Sequence, residues 1–103
     1  MIIGIFGCKN TTKFLIKSLT KKTKIDHLIT INKEKGKKFN VADYCDLNRV
    51  GTKNNIDIYY SKTYSLKNKE DILHINSLKI DIVFVLGWQR IIPKIIRNIQ
   101  AKH

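Results

Sequence analysis

The sequence predicts an α/β domain built on a parallel sheet, and three observations carry that prediction. Apolar runs such as Ile2–Phe6, Leu28–Ile31 and Ile80–Leu86 are short and continuous, as strands buried on both faces should be. Between them lie longer segments with apolar residues at helical spacing. The chain has 103 residues, enough for one small domain in which a single sheet is covered by helices.

Taken in order, Ile2–Phe6 is the first strand and stops at Gly7. Asn10 and Thr11 offer side-chain oxygens to cap a helix in which Phe14, Leu15, Ile16 and Leu19 follow, with 15 and 19, or 16 and 19, on one face. Thr20–Lys24 reads as a connector, and Leu28–Ile31, led in by Ile25 and His27, as the second strand. Asn32–Lys38, rich in lysine and carrying Gly36, reads as a surface loop. Tyr44–Arg49 has weak helical character that ends near Gly51 and Asn54-Asn55. Ile56–Tyr60 is the third strand. Ile72, Ile75 and Leu78 or Lys79 then predict a helix over 68–79 with Asn68 as its N-cap. Ile80–Leu86 is apolar except for Asp81, as a central strand should be, and Gly87 breaks it. Pro93 opens a last amphipathic helix carrying Ile95, Ile96 and Ile99. The order β-α-β-(α)-β-α-β-α argues for parallel strands joined by right-handed crossovers.

Composition bears on partners. Twenty basic residues against eight acidic give a net charge of +12. The excess is lysine: seventeen Lys stand beside only Arg49, Arg90 and Arg97. Lys, Ile and Asn together make 44 of the 103 residues, and all three have A- and T-rich codons. The lysines therefore read first as a solvated surface, with a basic nucleic-acid-binding protein as the competing reading. Cys8 and Cys45 are 37 positions apart with no CxxC, so neither a metal nor a disulfide framework is expected. No apolar stretch approaches 18 residues and no secretory leader is apparent, so the expected setting is cytoplasmic and away from membranes.

Two turns could carry chemistry, because ligands of open parallel sheets bind at the carboxyl ends of the strands. The first is Gly7-Cys8-Lys9-Asn10-Thr11, where a glycine, a lysine and a helix start could hold an anion; as a plain tight turn it needs no ligand. It is neither a GxGxxG fingerprint nor a phosphate-binding P-loop. The second is Gly87-Trp88-Gln89-Arg90-Ile91-Ile92-Pro93, with the chain's one Trp and one Pro. Those residue types suit an apolar slot for a flat heteroaromatic ligand, or a simple cap on the core. His27, His74 and His103 are scattered; Asp43 and Asp46, three apart beside Lys and Arg, read as surface helix charges. No catalytic constellation is apparent.

The opening IIGIFGCKNTT, the stretch HLITINKEKGKKFNVADYCDL, the pair YSLKNKEDI and above all DIVFVLGWQRIIPKII resemble the N-terminal half of the N10-formyltetrahydrofolate-dependent formyltransferases. That family includes methionyl-tRNA formyltransferase and the sugar N-formyltransferases, and the likeness runs in order from Met1 to about Ile99. It implies a Rossmann-like, mostly parallel four-stranded sheet with helices on both faces, and one partial domain over 1–103. It further implies a folate pocket lined by Leu86, Gly87, Trp88, Gln89, Arg90, Ile91, Ile92 and Pro93, with N10-formyltetrahydrofolate as cofactor and no metal. Gly7, Lys9, Asn10 and Thr11 would border the acceptor, a small-molecule amine: a nucleotide-linked amino sugar or an aminoacyl-tRNA. The family's catalytic Asn-x-His and later Asp lie beyond the position of His103, which is only ten residues after Pro93. No catalytic residue is therefore carried over. The expectation is a truncated, transferase-like half-domain, inactive alone, whose open sheet edge a partner chain could cover. The alternative is a noncatalytic nucleotide or small-molecule binding module.

Overall fold

A computed structural model describes residues 1–88, 90, 92, 93 and 100–102, the last three by their backbone. The four expected strands are present as β1 (Ile3–Phe6), β2 (His27–Thr30), β3 (Asp57–Tyr60) and β4 (Ile82–Val85). A further short strand, β5 (Gln100–Lys102), pairs with β4, so the described sheet has five strands in the order β3-β2-β1-β4-β5. Every pairing is parallel. The expected helix at Ile95, Ile96 and Ile99 lies outside the described residues.

Period-two alternation along the strands sorts the core into two layers. Ile5 and Leu28 face one cluster with Ile16, Leu47 and Val50. Phe6, Ile29 and Val83 face the other with Ile75, Leu66, Tyr64 and Trp88. The first layer belongs to α1 (Asn10–Leu19) and α3 (Asn48–Lys53), the second to α4 (Lys69–Ser77), so helices cover both faces. This is the α/β, Rossmann-like architecture expected from the sequence. Among the described residues no helix is long and apolar enough to cross a membrane.

Three local expectations are corrected. Asn10 and Thr11 do not cap α1: Asn10 is already its first residue, and the Thr12 hydroxyl reaches back to accept the Lys9 N–H at 3.2 Å. The 32–38 segment is not a loop but a short helix, α2 (Lys33–Lys38). Asn32 caps it by accepting the Lys35 N–H at 2.9 Å, and Gly36 packs flat against the Tyr44 ring. The weak helix at 44–49 forms later, as α3, and continues through Gly51, on which Ile58 of β3 packs. Helix α4, in contrast, starts where expected, with Asn68 accepting the N–H groups of Glu70 and Asp71.

Asp71 has zero exposure yet faces no cation; Lys62 pairs with Glu70 instead. Its carboxylate accepts from the Tyr59 hydroxyl at 2.6 Å, the Lys62 N–H at 2.8 Å, and the N–H and hydroxyl of Thr63 at 3.1 and 3.0 Å. Four donors satisfy the buried charge, so this group is a clamp joining β3, the 61–63 turn and α4.

Candidate functional site at the β1/β4 switch point

The strand order reverses between β1 and β4. The chain runs from β1 outward to β2 and β3, then returns to place β4 on the other side of β1. At such a point the turns leaving the two carboxyl ends part to opposite faces, and the crevice between them is where open sheets bind ligands. The two turns singled out in the sequence, starting 80 positions apart, leave these two strands.

They are joined by hydrogen bonds. Cys8 N–H donates to the Gly87 carbonyl at 3.0 Å and the Cys8 thiol to the same oxygen at 3.4 Å. The Thr12 hydroxyl, fully buried, donates to the Leu86 carbonyl at 2.6 Å. This close approach explains both glycines. A Cβ at Gly7 would run into the Thr12 side chain and the Leu86 carbonyl; one at Gly87 would meet the Thr12 hydroxyl. Gly87 also has φ +83°, a left-handed conformation that other residues adopt only with strain. Thr12 is the functional neighbour that sequence reasoning passed over. Its signal was the i, i+4 spacing to Ile16, which places both on the buried face of α1.

The expected site residues divide sharply. Gly7, Lys9, Leu86 and Gly87 are brought together at the crevice, and Thr11 sits beside Gly87 with its hydroxyl 3.2 Å from where a Cβ would stand. Asn10 is exposed, and its N–H donates to the Asp43 carbonyl at 3.3 Å. Leu86 is 41% exposed, an apolar side chain open to a ligand. Trp88 is only 7% exposed: its indole packs edge-on against Phe6 and Tyr64, with ring centroids at 6.0 and 4.8 Å. Its Nε1 is buried with no hydrogen-bond partner among the described residues. The Arg90 guanidinium lies 5.6 Å from the Tyr64 ring centroid, Ile92 packs partly on the same cluster, and Pro93 is half-buried. Gln89 and Ile91 lie outside the described residues.

Burial disfavours the thiolate of Cys8. Burial pushes the Cys8 thiol up to about 11, against the opposing pull of the Tyr64 hydrogen bond and Lys9. It is therefore protonated at neutral pH and a poor nucleophile. No imidazole of the described residues stands at this edge. His27 opens β2 at the far end of the sheet, 4.0 Å from Asp57, and His74 lies on α4, stacked on Tyr59. Among the described residues no group of three or more His, Cys, Asp or Glu is placed to hold a metal.

A second opening lies further along the same edge, beyond the ends of β2 and β3. It is a shallow pocket of about 320 Å³ lined by Asn32, Lys33, Glu34, Asp46, Asn48 and Tyr60. Asn48 donates to the Tyr60 hydroxyl at 3.0 Å across it. Asp46, which the sequence presented as a helix charge, instead accepts the Asn48 N–H at 2.9 Å ahead of α3. Compared with known proteins, the chain matches no family model and no curated relative.

Proposed function

We propose that this chain carries the cofactor site of a formyltransferase-like domain and binds N10-formyltetrahydrofolate at the β1/β4 crevice. The observation that carries this reading is that the 86–93 turn, on which the formyltransferase resemblance is strongest, leaves a strand at the topological switch point. The residues fit a pterin. Leu86 offers apolar surface, and the N–H groups of Gly87 and Trp88 are unengaged among the described residues, so they can pair with a heteroaromatic edge. Gly7 and Gly87 let the two turns close on the Thr12 side chain, which fixes where Leu86 and the 87–88 backbone stand. The bound cofactor would supply an activated formyl group for attack by an amine, whose acceptor class is an amino sugar or an aminoacyl-tRNA. That attack calls for a general base and oxyanion donors, and the described edge offers no histidine for the first role.

Calorimetric titration with 5-formyltetrahydrofolate tests the proposal. Trp88→Ala is unsuitable, because emptying a core position costs ~3–5 kcal/mol and would confuse unfolding with lost binding. Leu86→Glu alters an exposed side chain and leaves the core intact. Saturable binding by the native chain, weakened at least about tenfold in Leu86→Glu (~1.4 kcal/mol) at unchanged melting temperature, is the expected result. A folded chain that does not bind, or binding indifferent to Leu86, would overturn it. The second reading, a noncatalytic small-molecule module, is favoured by the polar pocket at Asn32, Asp46, Asn48 and Tyr60. It predicts ligand binding that Tyr60→Ala abolishes and Leu86→Glu does not touch.

A further inference from the structure

We infer that the solvent face of α1 is a docking surface for single-stranded nucleic acid. Phosphates would lie along Lys13, Lys17 and Lys21, and a base would stack on Phe14. The inference stands independently of the folate reading.

The charge is segregated as well as abundant. From Cys8 to Lys24 the chain carries six lysines and no acidic residue. The ion pairs among the described residues are His27–Asp57 and Lys62–Glu70, so none of these six lysines is neutralised. Codon bias accounts for how many lysines the protein has. It does not account for the absence of any acidic residue within α1, where spacing of four residues sets Lys13 and Lys17 in one row that Lys21 prolongs just past the helix end.

Phe14 stands beside that row. It is 67% exposed, whereas its neighbours Leu15, Ile16 and Leu19 turn inward to the core. Another large apolar side chain exposed on a helix, Leu73, sits three residues from Glu70, in a setting of mixed charge. An exposed aromatic ring beside uncompensated lysines is the arrangement that holds an unstacked base while cations follow the backbone. A duplex presents no free base face to Phe14. An anionic membrane requires the apolar face of an amphipathic helix, and in α1 that face is already buried against the sheet.

Fluorescence anisotropy with a labelled oligo(U) of about sixteen nucleotides, between about 50 and 200 mM salt, tests this. Three phosphate contacts predict a slope of log K against log salt near about −2. Phe14→Ala should weaken binding about tenfold with the slope unchanged. Lys13→Gln with Lys17→Gln should reduce the slope by roughly 1.4. Lys67→Gln with Lys69→Gln, beside α4 on the opposite face, should leave both unaltered. All these positions are exposed or half-exposed, and matching circular dichroism will establish that each variant is folded. No binding at about 50 mM salt overturns the inference. So does indifference to Phe14, equal weakening by the Lys67/Lys69 pair, or binding to phosphatidylserine vesicles without binding to oligo(U).

Discussion

Thr12 shows how much of this site rests on one hydroxyl. It bridges the Lys9 N–H and the Leu86 carbonyl, and it occupies the space that side chains at positions 7 and 87 would need. Thr12→Val keeps the shape but leaves both backbone groups unpaired in the interior, so it should destabilise the protein by ~2 kcal/mol. Thr12→Ser keeps the hydroxyl and should lose about 1 kcal/mol or less, the value of one methyl group. Urea unfolding midpoints separate the two; equal losses would show that packing, not the hydrogen bonds, holds the turns together. Local sequence could not distinguish Asn10, Thr11 and Thr12, three polar residues in succession. Only helix phase relative to Ile16 marks the third as inward. Trp88 carries the converse lesson: a lone Trp in a candidate ligand segment has its ring in the core, against Phe6 and Tyr64.

Capping decides the helices more than apolar periodicity does. Helix α4 was legible because Asn68 precedes a clear apolar spacing and its side chain accepts from Glu70 and Asp71. Asn68→Ala should cost ~1 kcal/mol, and Asn68→Asp should retain most of that stability. Thermal unfolding of the two variants checks this; an Asn68→Ala protein as stable as the parent would mean that the Asp71 clamp alone holds the helix start. Helix α2 was illegible for the opposite reason. Its six residues, KEKGKK, carry no apolar face, and it exists because Asn32 caps it and Gly36 docks beneath Tyr44. Tyr44 in turn donates to the Ile31 carbonyl at 2.9 Å, a contact across 13 positions that no short window reports.

At the scale of the whole molecule, one buried thiol and two half-buried phenols resist losing their protons. Burial raises Cys8 from 9.0 to about 11 and Tyr44 from 10.0 to about 12. Tyr59 is raised as well, by burial and by its hydrogen bond to Asp71. The native state thus retains protons that the unfolded chain gives up first, so the associated stability is complete below pH 9 and lost progressively as pH climbs toward 12. Melting temperature should fall across that window, and Cys8→Ala should flatten the part between pH 9 and 11. A melting temperature constant to pH 11 would contradict the burial of these groups. The sequence by itself determined the α/β class, the four main strands and the start of α4, because continuous apolar runs and a capping asparagine act within a few residues. Tertiary structure alone decided that β4 returns beside β1, and so that Gly7 and Leu86 share a crevice. That choice depends on pairing and burial between segments nearly 80 positions apart, where no local preference reaches.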